Sequence, residues 1–260
     1  MRKPKGEYAI QTVINAMRLL EAFRDEGELG VTELSRRLGL HKNNVFRLLA
    51  TLEQEGYIEQ SADTERYRLG VRVLELGCSF TRSRSLLCSA EPVLEALAAE
   101  TRESCHLGIL RDFEVVHLRG RQTERAVMSG LREGQRLPAH CTALGKVLVG
   151  CAPEELRQSY DRFIGDAELE ARTENTIVDR HKLFDHLRGV GVRGVALDLC
   201  ECDDGLACAA APVHAADGSV VAALSVSGPE SRIDEARLRA EVALQVVEAA
   251  ERLSRALGYA

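Results

Sequence analysis

A short segment near the amino terminus carries the residues with the clearest chemistry. Two side-chain amides lie there beside two cations and an imidazole, in the set His41, Lys42, Asn43, Asn44 and Arg47. Lysine and arginine bind phosphate oxygens, and an asparagine amide makes paired hydrogen bonds with the edge of adenine in the major groove. The set predicts a surface that binds double-stranded DNA, although a solvated helix hairpin can carry the same residues.

Two short helices are needed to position this surface. Residues 31–57 contain two apolar runs at helical spacing, separated by Gly39, and each run predicts a helix with one buried face and one free face. The apolar residues are Leu34 and Leu38, then Val45, Leu48, Leu49 and Leu52. This pattern is typical of a helix-turn-helix, in which the second helix contacts bases, and Arg36 and Arg37 of the first helix are further candidate contacts.

Elements on both sides extend the helix pair to a winged module. A helix is predicted over residues 11–25, packed under the pair through one apolar stripe. That stripe consists of Val13, Met17, Leu20 and Phe23. Residues 57–60 and 66–69 flank a polar turn and predict a β-hairpin. Arg66 and Arg68 of this wing either follow the sugar-phosphate backbone or remain solvated edge charges.

The charge distribution singles out the same segment. The net charge of −6 is unlike that of a protein that coats nucleic acid with its whole surface. Residues 1–77 hold 12 Lys and Arg against 12 Asp and Glu, which leaves 22 against 28 for residues 78–260. From Leu34 to Leu52 there are four cations and no carboxylate, so positive potential is concentrated where the helices would meet phosphate.

Length and composition restrict the class of protein. A chain of 260 residues is long enough for two domains with separate cores. The N-terminal residues lack the apolar core of a signal sequence and no segment is long enough to span a bilayer, so we expect a cytoplasmic protein without a membrane partner. The eight cysteines are expected to be reduced thiols, and no metal site or cofactor is predicted.

The rest of the chain mixes helices and strands. Residues 71–103 look helical, with Pro92 at a first-turn position and an apolar stripe through Leu94 and Leu97. The predicted strands are residues 106–110, 114–119, 195–199, 206–213 and 220–227, and the predicted helices are residues 143–150, 153–160, 179–190 and 234–257. Asp217-Gly218 predicts a hairpin turn between the last two strands, which are therefore expected to be antiparallel neighbours.

A second candidate site begins at Thr142. This threonine is a good N-cap, and the amides of Ala143, Leu144 and Gly145 would then point outward and attract a carboxylate. An ordinary capped helix has the same residues. Ser225 and Ser227 lie two apart on a predicted strand, so both hydroxyls face one side and can donate to one ligand.

Three stretches of sequence resemble the IclR-type bacterial transcriptional regulators over nearly the whole chain. The first comprises AMRLLEAF, VTELSRRLGL, VFRLLATLEQEGYI and YRLG, the second is LPAHCTALGKVLV from Leu137 to Val149, and the third comprises RGVALD, GLACAAAPV and ALSVSGP. The resemblance implies an α+β protein with a winged helix-turn-helix in residues 1–70, a linker helix in 71–90 and a GAF-like or profilin-like effector-binding domain in 91–260. It also implies homodimers that pair into tetramers on DNA. The recognition helix departs from the family, because Asn43-Asn44 stands where Ser-Thr is frequent and Phe46 replaces a frequently polar residue.

The resemblance also implies a small-molecule cavity beside Thr142. Its expected lining residues are Ala126, Ser129, Leu137, Ala143, Leu144, Asp198, Leu206, Cys208, Ser225 and Ser227. Their mixture of apolar walls and few polar groups suits a small organic acid, either benzoate-like or a small keto acid. Asp198 is protonated, accepts from a hydroxyl of the effector, or caps the loop that follows it.

The predicted function is that of a DNA-binding transcriptional regulator whose operator affinity is controlled by an aliphatic or aromatic acid. An alternative is a redox or metal sensor that uses Cys200, Cys202 or Cys208, with the first two on one side of a strand. Enzymatic function is not predicted. The adjacent thiols and imidazoles of Cys105-His106 and His140-Cys141 would face opposite ways along a strand and lack an orienting third residue.

Overall fold

The computed structural model describes residues 9–24, 26–82, 85–125, 129–165 and 169–260. The chain divides into two compact units, Met1–Ser83 and Arg84–Ala260. The first unit contains α1 (Gln11–Glu21), α2 (Val31–Leu38), α3 (Lys42–Gln54), β1 (Ile58–Gln60), β2 (Tyr67–Leu69) and α4 (Val71–Arg82). The predicted winged helix-turn-helix is confirmed, because α2 and α3 are followed by the antiparallel hairpin of β1 and β2.

One apolar core holds the first unit together. It is formed by Leu19, Phe23, Leu29, Leu34, Leu38, Val45, Leu49, Ile58 and Tyr67. Gly39 ends α2 with a φ of 66°, a left-handed conformation that glycine adopts without the steric cost of a Cβ. Since this turn redirects the chain at once into α3, the buried faces of both helices meet the same core.

The prediction for the stripe of α1 is wrong in part. Phe23 is buried and Leu20 is partly buried, but Val13 and Met17 are exposed at 50% and 55%. Leu19 lies in the core instead. The reason is that α1 has apolar residues on two faces, so helical periodicity alone does not decide which face is covered.

The second unit is built on a six-stranded sheet with helices on both faces. Its elements are α5 (Ser85–Thr101), β3 (Ser104–Arg111), β4 (Glu114–Arg121), β5 (Arg136–Pro138), α6 (Ala143–Gly150), α7 (Glu154–Ile164), α8 (Arg180–Arg193), β6 (Ala196–Leu199), β7 (Leu206–His214), β8 (Val220–Pro229), α9 (Glu235–Arg237) and α10 (Ala243–Ala256). The strand order is β5-β4-β3-β8-β7-β6, and neighbouring strands are antiparallel. The α+β class and the hairpin between β7 and β8 are confirmed.

Two apolar layers enclose the sheet. On one face, α5 and α10 supply residues such as Leu94, Leu97 and Val246 to the largest core cluster. On the other face, α6 supplies Val147 and Leu148, and α7 and α8 pack behind it. Polar residues on this second face of the sheet are therefore covered by the start of α6.

Three details of the second unit differ from the sequence prediction. Pro92 lies inside α5, because Leu87 and Ala90 continue the buried stripe and extend the helix toward the amino terminus. The final helix runs from Glu235 to Ala256, close to the prediction, but it contains a π-helical turn at Leu238–Val242 between α9 and α10. The short strand β5 was not predicted. Within the described ranges, none of the helices has the length and apolar character required to cross a membrane.

Candidate functional site

The free face of α3 carries the predicted DNA contacts. Lys42, Asn43, Asn44 and Arg47 are all exposed. His41 precedes the helix as its N-cap, and its Nδ1 accepts a hydrogen bond from the Asn43 amide at 3.4 Å. Val45 and Leu49 face the core and fix the rotation of the helix, so the amides and cations face solvent together.

Three of the predicted phosphate contacts are paired with carboxylates. Arg37 Nη2 lies 2.6 Å from Glu26 Oε1, and Arg68 Nε lies 3.2 Å from Glu59 Oε1 across the hairpin. Arg66 Nη2 is 2.7 Å from Glu33 Oε2 and also donates to the Glu28 carbonyl at 3.0 Å. Arg36 is exposed.

Phe46 is a candidate contact that the sequence analysis noted only as a departure. Its side chain is 57% exposed and lies one helical turn after Asn43. A phenyl ring at this position can contact the methyl group of thymine in the major groove. Helical spacing could have shown this in the sequence, because Val45 and Leu49 lie one turn apart on the buried face and Phe46 does not share their spacing.

The predicted effector residues converge on one cavity in the second unit. It lies between the sheet and the start of α6. Eight predicted residues line it, namely Leu137, Ala143, Leu144, Asp198, Leu206, Cys208, Ser225 and Ser227. Ser129 is not among the lining residues, although its carbonyl accepts a hydrogen bond from Ser104 at 2.7 Å. Ala126 lies outside the described residues.

Six further residues line the cavity, and of these only Thr142 belongs to the predicted site. They are His106, His117, Arg132, Thr142, Cys202 and Asp203. Strand register explains the position of His106. It lies opposite Ser225 on the neighbouring strand, so both side chains lie on the same face of the sheet. Arg132 lies in the turn between β4 and β5, and its Nη2 is 2.6 Å from Asp203 Oδ2.

The first turn of α6 forms the wall opposite the sheet. Thr142 is the N-cap as predicted, and its Oγ1 accepts from the Gly145 amide at 3.2 Å. That amide is therefore not free for a ligand, which corrects the prediction for Gly145. A Cβ at Gly145 would lie 2.3 Å from Ala139 Cα, so only glycine allows the preceding turn to cross the helix this closely.

Asp198 caps the loop that follows β6, one of the three predicted roles. Its Oδ1 accepts from the Glu201 amide at 2.7 Å and from the Cys202 amide at 3.4 Å. Burial raises the pKa of this carboxyl to about 7, and the two amides and Lys146 oppose the shift while Glu201 adds to it. The carboxyl therefore titrates within the physiological range.

A buried ion pair lies behind the cavity. Lys146 of α6 is completely buried, and its Nζ donates to Glu201 Oε1 and to the Leu197 carbonyl, the latter at 3.1 Å. Glu201 belongs to the loop that Asp198 caps. Sequence reasoning missed this pair because its members are 55 positions apart and no local pattern marks a buried lysine.

The cysteines do not assemble a metal site in the described ranges, where no group of three or more His, Cys, Asp or Glu could hold an ion. Cys200 and Cys202 follow the end of β6 in a loop, so the prediction that both lie on one strand is wrong. Burial raises the pKa of the Cys208 thiol well above its usual value, and a hydrogen bond from Cys141 lowers that of Cys202. Cys105 faces the α5 core while His106 faces the cavity, as expected along a strand, but His140 and Cys141 lie in a turn.

Comparison with known proteins matches both units to models of one family. Residues 12–62 match the IclR helix-turn-helix domain, and residues 78–255 match the model described as bacterial transcriptional regulator IclR C-terminal. The chain belongs to the IclR family. It is therefore a member of a family of DNA-binding transcriptional regulators.

Individual relatives of this IclR-family chain include regulators and solved structures. The HTH-type transcriptional regulator XynR of Escherichia coli (strain K12) is 36% identical, over 96% of this chain and 98% of that protein. The structure of an IclR transcriptional regulator from Alicyclobacillus acidocaldarius has a TM-score of 0.85 at 25% identity, covering 96% of this chain and all of that one. An IclR homologue from Microbacterium hydrocarbonoxydans, complexed with 4-hydroxybenzoate, has a TM-score of 0.81 at 24% identity over 95% of this chain and 98% of that one, which shows a shared fold.

Proposed function

We propose that this chain binds an operator through α3 and that a small organic acid in the cavity of the second unit controls its affinity for that operator. The observation that carries the effector part is the convergence of the start of α6 with Ser225 and Ser227 on one cavity. The DNA part is supported by the helix-turn-helix match and by the exposed face of α3.

The chemistry of α3 divides its contacts into two kinds. Asn43 and Asn44 are exposed in the first turn, where a recognition helix meets base edges, and their amides can pair with adenine. Lys42 and Arg47 supply phosphate contacts, which do not depend on sequence. Arg36 is a further phosphate contact, whereas Arg37, Arg66 and Arg68 must exchange their carboxylate partners for phosphate.

Replacement of both Asn43 and Asn44 by alanine is expected to remove most of the preference for operator over random duplex, by about 10-fold to 100-fold. The reason is that the amides read bases and carry no charge. The preference is measured by competition titration with duplexes that were selected from a random library by the unaltered protein.

Arg47→Ala serves as the control for that experiment. Because it removes a phosphate contact, it should weaken binding to all duplexes together and reduce the slope of log affinity against log salt by about 1. Unchanged discrimination in the double alanine variant would show that other residues read the operator.

A homodimer is part of the proposal, because an operator with two half-sites needs two copies of α3. Exposed apolar residues on one element of the first unit support it, since large apolar patches on a folded surface mark interfaces. On α1 these are Val13, Ile14 and Met17, at 50%, 38% and 55% exposure. The complex of protein and operator duplex that forms in the competition titration should have a mass that corresponds to two protein chains or to four.

Two groups beside the cavity can bind the carboxylate of an effector, although the carboxyls of Asp198 and Asp203 also line it. The amides of Ala143 and Leu144 lie in the first turn of α6, where backbone N–H groups have no partner within the helix. Arg132 adds a guanidinium whose charge is shared with Asp203. The Microbacterium homologue with bound 4-hydroxybenzoate provides one example of an acid carried by this fold.

Some members of a panel of short aliphatic, keto and aromatic acids are expected to raise the melting temperature and to change operator affinity by about 10-fold or more. The reason is that a ligand stabilises the state to which it binds more tightly. Ser225→Val should abolish both effects by adding a methyl group to the buried wall, whereas Ser231→Val changes an exposed serine and should not. If no acid in the panel shifts either quantity, the effector proposal fails.

A further inference from the structure

One carboxyl of the cavity is buried beside the space that an anionic effector would occupy. Asp198 is 1% exposed and lines the cavity. Both hydrogen bonds described for its side chain are accepted by Oδ1, from the amides of Glu201 and Cys202. Its other oxygen, Oδ2, is therefore the one available to a ligand. An ionised carboxylate accepts hydrogen bonds only, whereas a protonated one also donates.

The second carboxyl of the cavity has cations beside it. Asp203 Oδ2 lies 2.6 Å from Arg132 Nη2, and Asp203 Oδ1 lies 3.7 Å from Arg172 Nη2. Hydrogen bonds and charge from Arg132 hold the pKa of Asp203 below its usual value, although burial raises it. Of the two carboxyls that line the cavity, Asp198 is thus the one without an ion pair to a described residue. Its charge is the one that an anionic ligand would meet uncompensated.

The imidazoles near the cavity do not supply a compensating charge at neutral pH. His106 of β3 and His117 of β4 line the cavity, and His140 lies in the turn before α6. Burial lowers the pKa of His106 to about 3, that of His117 to about 4, and that of His140 below its usual value. All three rings are therefore mostly neutral by about pH 7.

Four thiols are the remaining titratable groups around Asp198. Burial raises the pKa of Cys200 and of Cys208. The neighbouring thiol of Cys202, together with burial, raises the pKa of Cys141. The pKa of Cys202 is lowered by the same neighbour, so Cys202 is the thiol whose titration has to be tested separately.

The proton on Asp198 is easily gained or lost near neutrality. Burial raises the pKa of this carboxyl to about 7, against the amide of Glu201 and the charge of Lys146. Lys146 Nζ donates to Glu201 Oε1, so it is already paired. An ionised Asp198 would repel a carboxylate placed beside Oδ2. A protonated Asp198 can instead donate its O–H to that carboxylate, which is a charge-assisted hydrogen bond.

We propose that the effector acid binds together with one proton, which Asp198 holds on Oδ2 and donates to the carboxylate of the acid. This inference rests on the function proposed above and adds a second signal to it. Because the ionised site binds the acid weakly, the operator response to a fixed concentration of acid becomes stronger as pH falls through neutrality. The regulator therefore responds to the acid and to acidity together.

Isothermal titration calorimetry from pH 6 to pH 8.5 tests this linkage on the unaltered protein, with benzoate, 4-hydroxybenzoate and 2-oxobutanoate as probes. Asp198 is already protonated at the lower pH, so affinity there is maximal. It should fall by up to 10-fold per unit above pH 7 and be about 30-fold weaker at pH 8.5 than at pH 6. Affinity that is constant or that rises with pH would overturn the inference and leave the proposed function standing. No binding by any probe at any pH would remove both.

Proton uptake is measured directly by repeating the titrations in buffers with different enthalpies of ionisation. Binding should take up about one proton per ligand at pH 8.5 and about 0.1 at pH 6, because the vacant site is ionised only at the higher value. Binding at pH 8.5 without proton uptake would contradict a shared proton.

Variants assign the proton to Asp198. Asp198→Asn keeps an oxygen for the capped amides and an N–H group for the acid, so its affinity should vary by less than about 3-fold from pH 6 to pH 8.5. Asp204→Asn is the matched control, because Asp204 belongs to the same loop and is exposed, and it should retain the fall in affinity. Cys202→Ser should retain that fall as well.

Melting temperatures and operator binding without ligand show whether each variant is folded. A folded Asp198→Asn variant that keeps the dependence on pH, or that binds no acid at any pH, would refute the assignment. Loss of the dependence in Cys202→Ser would assign the titration to the thiol and would also refute it.

Discussion

Lys146→Met is expected to lower the free energy of unfolding of the second unit by about 3–5 kcal/mol. The substitution removes a completely buried cation that pairs with Glu201. The carboxylate of Glu201, which is 8% exposed, would then remain in the interior without its partner. Glu201 Oε2 already has no hydrogen-bond partner among the described residues. An uncompensated buried charge is among the most destabilising consequences of a single substitution.

Differential scanning calorimetry measures this loss and can separate the transitions of the two units. Lys182→Met is the matched control, because Lys182 is exposed on α8 and its replacement should cost less than about 0.5 kcal/mol. The double variant Lys146→Met with Glu201→Gln should recover part of the loss, since no charge remains. A loss below about 1 kcal/mol for Lys146→Met would contradict a desolvated ion pair.

Asp198→Asn is expected to stabilise the chain at neutral and alkaline pH by up to about 4 kcal/mol. The folded pKa of Asp198 is raised from 3.8 to about 7. As pH rises, the carboxyl therefore ionises in the unfolded chain before it ionises in the folded one, and this difference favours unfolding. The folded state loses stability as pH rises from about 4 to about 7, at roughly 1.4 kcal/mol per unit, and the deficit is constant above that range. Asparagine retains an oxygen for the amides of Glu201 and Cys202 and carries no charge.

The advantage of the asparagine variant should therefore grow between about pH 4 and pH 7 and then level off. Melting temperatures of both proteins across this range test the prediction. Asp198→Ala separates charge from capping, because it removes the acceptor of two buried amides and should destabilise the chain at every pH. Parallel pH profiles for the parent and the asparagine variant would show that Asp198 does not titrate near neutrality.

Local patterns were sufficient to predict the first unit, since its helices are defined by short-range spacing and by turns such as Gly39. They failed for α1, where Val13 and Met17 continue an apolar stripe that the core does not cover. They also missed the partners of Arg37 and Arg66, because Glu26 and Glu33 meet them only in the folded chain.

The cavity shows a different limit of sequence reasoning. Alternation along β8 correctly placed Ser225 and Ser227 on one face, and both line the cavity. The buried nitrogens His106 Nε2 and His117 Nδ1, which have no hydrogen-bond partner among the described residues, depend on how β3 and β4 pair in the folded chain, and such contacts leave no periodic trace in the sequence. The same holds for Arg132, whose position is set by a turn and by Asp203.

The buried pair of Lys146 and Glu201 ties the two ends of the cavity wall to each other. Lys146 fixes α6, and Glu201 fixes the loop that begins at Asp198. In descendants of this chain, substitutions that change ligand preference should therefore accumulate on β3, β4 and the turn that contains Arg132. Substitutions there alter recognition without breaking the ion pair that holds α6 in place. Laboratory evolution toward a new ligand would have most freedom at those same positions.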